Sequence, residues 1–282
     1  MMKSKIMRAF AATALALSLL VWTISGDAQN FQRGYEAALQ GDFETALQEW
    51  RPLAEQGDAV AQSNLAAMYA TGQGVAQNYA EATKWYRLSA KQGDIISQFT
   101  LGGMYANGEG VVQSYSEAAT WYRLAAEQGM AKAQTNLGRL YAIGQGVNQN
   151  FAEAIKWFRL AAQQGDAFAQ NNLAIIYSRG QGVVQDYAEA ARWYRLAAEQ
   201  GDTFAQAMLG TMYAIGQGVE QDYLFAHMWF NIAVSNGNDM AKDMRDMATN
   251  MRSTAASELS AADLSRAERL ARECIERRYS DC

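Results

Sequence analysis

Hydrophobic and polar positions follow a helical period through most of this chain. Ala61, Leu65 and Tyr69 stand four residues apart, and the same spacing returns in each later segment up to about residue 236. A half-buried strand needs alternation at every second residue, so this spacing predicts amphipathic helices.

The helical pattern is repeated at a fixed interval of 36 residues. Glycines mark it at positions 57, 93, 129, 165, 201 and 237, and the segments between them align without a gap. Five repeats are therefore expected, at residues 57–92, 93–128, 129–164, 165–200 and 201–236. Such a period indicates a solenoid, in which each repeat buries its hydrophobic face against its neighbours.

Each repeat contains the signals for two helices. In the first repeat Asp58 can cap a first helix and Gly72 can end it, because glycine suits the left-handed position past a helix end. Asn78 and Glu81 have the spacing of a capping box at the start of a second helix. Gly93 ends that helix, and so short a joint predicts adjacent antiparallel helices.

The repeated motif GDA.AQ.NLA..Y..GQGV.Q.YAEA..WYRLAA.Q resembles the Sel1-like repeat, a relative of the tetratricopeptide repeat. The resemblance covers residues 57–236 and implies an all-α, right-handed α-solenoid whose first helices line the concave side. It also implies a scaffold or adaptor role, because members of this family commonly assemble protein complexes. Bacterial members are often exported and act in envelope signalling, envelope assembly or contact with host cells.

The two ends depart from the repeat. Residues 1–28 have a positive start, an uncharged apolar run and small residues before a possible cut after Ala28, which indicates a secretory signal peptide. An uncleaved anchor stays open as an alternative. Residues 29–56 are expected to form a tetratricopeptide-like hairpin, and residues 237–282 a pair of capping helices. The cleaved protein is predicted to be periplasmic or secreted, without stable membrane insertion.

Composition excludes several kinds of function. The formal net charge of −5 argues against a nucleic-acid partner. His227 is the only histidine, so no imidazole pair can form a metal site, and no cofactor is expected. The GQGV loops follow a helix rather than a strand, unlike a phosphate-binding loop. We therefore expect no enzyme; an envelope hydrolase acting on cell-wall or β-lactam substrates is the alternative, from resemblance alone, and a small-ligand carrier is a third hypothesis.

The C-terminal segment carries the only two cysteines, Cys274 and Cys282. In an oxidising compartment a disulfide between them is the expected outcome. Met240, Met244 and Met251 belong to a methionine stripe, with Met247, whose helical spacing predicts a buried face.

Candidate partner contacts come from matching each first helix to the tetratricopeptide pattern. Four recurring offsets then face the concave side, and their residues vary between repeats. Aromatic and arginine side chains are typical of interface hot spots. The predicted contacts are Phe99, Arg139, Phe168, Asn171, Ile175, Arg179 and Phe204. The partner is expected to be a protein or an extended peptide bound by a monomer, although the phenylalanines could instead pack against the preceding repeat.

Overall fold

A computed structural model describes residues 26–236, 242–279 and 282. Within those ranges the regular structure is helical, and consecutive helices pack as antiparallel pairs in an all-α, solenoid-like fold. None of the described helices combines the length and hydrophobicity needed to cross a bilayer. Most of the predicted signal peptide lies outside the described residues, and Ala28 lies inside the first described helix.

The described residues contain fourteen helices, named α1 to α14. Helix α1 is described over residues 26–39. The others are α2 (Phe43–Glu55), α3 (Ala59–Thr71), α4 (Tyr79–Lys91), α5 (Ile95–Asn107), α6 (Tyr115–Glu127), α7 (Ala131–Ile143), α8 (Phe151–Gln163), α9 (Ala167–Arg179), α10 (Tyr187–Ala198), α11 (Thr203–Ile215), α12 (Tyr223–Asn236), α13 (Lys242–Ser257) and α14 (Ala261–Glu276).

The chain divides into two compact units. The first ends at Ala125, in the last turns of α6, and the second runs from Ala126 to Cys282. The first helices of the repeats are α3 and α5 in the first unit and α7, α9 and α11 in the second. Each unit has cores made of alanine, leucine and aromatic side chains contributed by consecutive helices.

The helix starts follow the sequence prediction with one correction. Asp58 accepts a hydrogen bond from the Ala61 backbone, and Asn78 accepts from the backbone N–H of Glu81. The Asn78 backbone N–H, however, donates to the Tyr69 carbonyl, so the reciprocal half of the capping box is not made. The glutamate is used differently: its carboxylate forms a salt bridge with Lys84.

A ladder of glutamine amides joins successive helices inside each unit. Gln170 donates through Nε2 to the Ala162 carbonyl at 3.2 Å, and its Oε1 accepts from Gln200 at 2.8 Å. In the first unit Gln62 makes the corresponding bonds to Ala54 and Gln92, at 3.0 and 2.9 Å. The recurring glutamines therefore tie neighbouring helices together.

A second ladder, which the sequence did not suggest, joins second helices to the following first helices. An arginine donates to a tyrosine hydroxyl 18 residues further on, as in Arg159 to Tyr177 at 2.8 Å. The other described pairs are Arg51–Tyr69, Arg87–Tyr105 and Arg195–Tyr213. The arginine and the tyrosine of each pair both recur every 36 residues. This shared period is the feature of the sequence from which the ladder could have been predicted.

The C-terminal helices cover the end of the second unit. Exposed leucines occupy one position of the second helices, at Leu88, Leu124, Leu160 and Leu196. The equivalent Ile232 is fully buried, in one cluster with Ala271 and Cys274 of α14. Helix α14 therefore caps the fifth repeat by covering a position that the earlier repeats leave exposed.

The structure corrects the prediction that the methionine stripe of α13 is a buried face. Met244 and Met251 pack against the core, but Met247 is 40% exposed. The buried positions are instead Ala248 and Ala255, whose small side chains allow α13 to lie close to α12. Met240 lies outside the described residues.

Candidate functional site

The candidate site is a surface on the first helices of the second unit, here called the first-helix face. Phe168, Ile175 and Arg179 of α9 lie seven and four residues apart, which places them on one side of that helix. Helices α7 and α11 carry residues at the same offsets. The full set is Lys132, Arg139, Ile143, Phe168, Ile175, Arg179, Phe204, Thr211 and Ile215.

These helices are held side by side by shared cores. Leu173 and Ile176 of α9 form a cluster against which Tyr141 of α7 packs. Ala174 of α9 shares a second cluster with Leu209 of α11. The buried sides of α9 thus contact both neighbouring layers, and its remaining side is the one that carries Phe168 and Arg179.

The exposures of the predicted contact residues differ widely. Phe168 is 57% exposed and Arg179 is also exposed, while Arg139 and Ile175 are half-buried. Ile143 and Ile215, at equivalent offsets of α7 and α11, are 53% and 55% exposed. Exposed large apolar side chains of this kind, grouped on one side of adjacent helices, are typical of an interaction surface.

Two of the predicted phenylalanines pack within their own unit. The Phe204 ring lies 6.1 Å from the ring of Tyr194 on the preceding α10, and is half-buried. Phe99, in the first unit, is 5.8 Å from Tyr122 and is also half-buried. The sequence left open whether these phenylalanines pack against the preceding repeat. Phe204 does so, whereas Phe168 is exposed.

The structure corrects the prediction that Asn171 contacts a partner. Its side chain is only 7% exposed, and its buried Oδ1 has no hydrogen-bond partner. At the same offset in the first repeat, Ser63 accepts a bond from Ser97 at 3.0 Å. The position equivalent to Ser97 next to Asn171 is Ala205, which has no hydroxyl to donate. This offset lies between helices rather than on the surface.

Charge is segregated between the two kinds of helix. The first helices α3, α5, α7, α9 and α11 contain no aspartate or glutamate. Four second helices, α4, α6, α8 and α10, each carry a glutamate in the first turn, such as Glu189 in α10, whereas α12 has none there. Lys132, Arg139 and Arg179 are the charged residues of α7, α9 and α11, so the first-helix face is cationic on an acidic protein.

The only histidine lies away from this surface, in α12. His227 is 5% exposed, and burial lowers its pKa, helped by the Arg252 guanidinium and opposed by Glu268. Among the described residues no group of three His, Cys, Asp or Glu side chains could hold a metal ion.

The cysteine pair lies near the C-terminal end of helix α14. Cys274 is buried in α14, and its sulfur is bonded to that of Cys282, with the Cα atoms 5.5 Å apart. The bond ties the last residue of the chain back to α14, where Cys282 also packs against the core of the second unit.

Stacked helix pairs, with core residues that recur from repeat to repeat and first-helix surface residues that vary, define the class of α-solenoid repeat scaffolds. The Sel1 repeat model matches residues 59–94, 95–130, 131–166, 167–202 and 203–238. The chain belongs to the Sel1 repeat family. The matched ranges keep the 36-residue spacing and begin two residues after the glycines that mark each repeat.

Two solved structures are similar to this chain. A Sel1 repeat protein from Oxalobacter formigenes is 36% identical, over 73% of this chain and 84% of that chain, with a TM-score of 0.70. The protective antigen c5321 from uropathogenic Escherichia coli, which has an SLR fold, is 30% identical over 90% of this chain and 70% of its own, with a TM-score of 0.40. Comparison with curated proteins gave no match. Sel1 repeat proteins are generally scaffolds for protein interaction.

Proposed function

We propose that this protein is a non-catalytic adaptor that binds an extended, acidic segment of a partner protein on the first-helix face. The observation that carries this proposal is the combination of exposed apolar side chains, Phe168 foremost, with a face that bears only positive charge. Phe168 supplies an aromatic anchor and Arg179 a charge-assisted hydrogen-bond donor, the two side-chain types enriched in hot spots.

The proposed mechanism is preorganisation. The glutamine and arginine–tyrosine ladders fix the spacing of successive first helices within the unit, as in Gln200 to Gln170 and Arg159 to Tyr177. A rigid surface loses little conformational entropy on binding, so more of the contact energy remains as affinity.

We further propose that the protein acts outside the cytoplasm. The predicted signal peptide and the bonded pair Cys274–Cys282 support this proposal, because disulfides persist mainly in oxidising compartments. Roles in envelope signalling, envelope assembly or host contact are the ones that the family resemblance suggests. No feature of the described residues favours the hydrolase alternative.

A selection from a random peptide library tests the proposed face. The exported protein is the bait, and enriched peptides are expected to combine Asp or Glu with large apolar residues. Phe168→Ala and Arg179→Ala should each weaken a selected peptide at least about tenfold, the loss typical of a hot-spot side chain. The affinity should also fall with rising salt, since exposed ion pairs are screened.

Leu160→Ala is the matched control for this experiment. Leu160 is 39% exposed on the second helix α8 and does not belong to the first-helix face. The proposal requires that this variant bind as the wild type does. Selected peptides without acidic residues, or equal losses in the Leu160 and Phe168 variants, would reject the first-helix face.

A further inference from the structure

The fifth repeat departs from its predecessors at a small group of neighbouring positions in α12. His227 stands where the earlier repeats have threonine, alanine or isoleucine, and Asn231 stands where they have the arginine of the arginine–tyrosine ladder. The equivalents of His227 are Thr83, Ala119, Ile155 and Ala191, and those of Asn231 are Arg87, Arg123, Arg159 and Arg195. Both departures put polar side chains under the C-terminal cap.

These residues line one wall of a cleft between α12, α13 and α14. The cleft has a volume of about 320 Å³ and lies wholly within the second unit. Its lining includes His227 and Asn231 from α12, Arg252 and Ser253 from α13, and Leu264 and Glu268 from α14. Three helices thus bring polar and apolar groups to a space of the size of a small metabolite.

Two opposite charges, Arg252 and Glu268, line this cleft. Arg252 donates through Nη1 to the Asn231 Oδ1 at 3.0 Å, which orients the guanidinium on the cleft wall. Both Arg252 and Glu268 lie in the described part of the chain, and no salt bridge joins them. A ligand that carries a negative and a positive group could therefore pair with one residue at each end.

The histidine in the wall of the cleft has a buried polar atom without a hydrogen-bond partner. His227 is 95% buried, being 5% exposed, and its Nδ1 has no hydrogen-bond partner. A buried polar atom without a partner destabilises the folded state. Because burial lowers its pKa, the imidazole is neutral near pH 7, and Arg252 supplies the positive charge of the cleft.

We propose that this cleft binds a free α-amino acid, whose carboxylate pairs with Arg252 and whose ammonium group pairs with Glu268. Leu264 offers the ligand side chain an apolar contact, so a ligand with a modest apolar side chain fits the lining. The site is separate from the first-helix face and shares no residue with it. Its failure would leave the adaptor proposal unaffected.

Calorimetric titration of the full chain with the twenty L-amino acids, each up to about 10 mM, tests this proposal. At least one should bind with a one-to-one stoichiometry. Arg252→Gln and Glu268→Gln should each weaken it at least about tenfold, because each removes one charged hydrogen-bond partner. The amide and the N-acetyl form of the same amino acid each lack one charge. The wild-type protein should bind either of them at least as weakly as the two variants bind the unmodified amino acid.

Two exposed charged residues outside the cleft provide the controls. Arg272→Gln and Glu258→Gln change the net charge in the same way but do not line the cleft, and they should bind the amino acid as the wild type does. Absence of binding by every member of the panel would overturn the proposal. Equal weakening by cleft and control variants would overturn it as well.

Discussion

At the residue scale, the end of the glutamine ladder shows how one methylene group decides a hydrogen bond. In earlier repeats a glutamine such as Gln200 donates to the Oε1 of the ladder glutamine 30 residues before it. The last repeat has Asn236 at that position, opposite Gln206. The Asn236 Nδ2 and the Gln206 Oε1 are both buried and without partners, because the shorter amide does not bridge the distance.

Lengthening this side chain should restore the bond. We expect Asn236→Gln to raise the free energy of unfolding by about 1 kcal/mol, the net contribution of one buried hydrogen bond. Gln200→Asn should lower it by a similar amount, and urea denaturation measures both. If Gln200→Asn lowers the free energy of unfolding but Asn236→Gln does not raise it, the explanation by side-chain length is contradicted.

His227 should make stability depend on pH in a specific window. Its folded pKa is below the ordinary value of 6.5, so the unfolded state binds the proton first as the pH falls. Stability should therefore decline from about pH 7 downward until the pH passes the folded pKa. His227→Gln should lack this decline between pH 7.5 and 5.5 in urea denaturation, whereas an unchanged slope would show that other groups cause it.

At the element scale, the glycine-rich loops help to fix the position of each repeat against the preceding one. Gly218 has a φ of +73°, and a Cβ there would collide with the Tyr187 carbonyl oxygen at the start of α10. The loop after α11 therefore rests on the first turn of α10. A glycine at this position serves a close backbone approach as well as the left-handed conformation.

Two glycine variants separate these effects. Gly165 has a φ of +87°, and a Cβ there would meet no heavy atom nearer than 3.8 Å. Gly165→Ala should cost about 1–2 kcal/mol, the penalty of the left-handed conformation. Gly218→Ala should cost at least about 1 kcal/mol more, because the collision adds a packing penalty. Equal changes in the free energy of unfolding would refute the close-approach argument.

The cap is a second element with a testable contribution. The disulfide Cys274–Cys282 closes a short loop, with a sequence separation of 8, and should contribute about 2–3 kcal/mol by constraining the unfolded chain. Cys282→Ser should therefore unfold at lower urea concentration than the oxidised wild type. Reduction should bring the wild type to the level of the variant; a variant as stable as the oxidised wild type would disprove this contribution.

At the scale of the whole molecule, the sequence predicts the repeat and its helices well because their signals are local and repeated. Capping aspartates, terminating glycines and helical spacing act within a few residues, as at Asp58 and Gly72. The site is predicted less completely, since exposure depends on neighbouring helices. Asn171 shares its helix with Phe168, yet it is buried where Phe168 is exposed.

The departures from the prediction have the same physical origin. Glu81 matches the capping box, but the Tyr69 carbonyl, from the preceding helix, occupies the backbone N–H that the box requires. Met247 matches the stripe, but the residues of α13 that are buried in the core are Ala248 and Ala255. In each case a contact between helices outweighs a pattern read along one helix.

Photocrosslinking in the native host tests the central claim, binding on the first-helix face, most directly. A photoreactive amino acid replaces Phe168 in one variant and Leu160, on the second helix, in the other. The account predicts that one partner protein is crosslinked through position 168, that it is not crosslinked through position 160, and that Arg179→Ala reduces the yield. Equal crosslinking at both positions, or none at position 168, would contradict it.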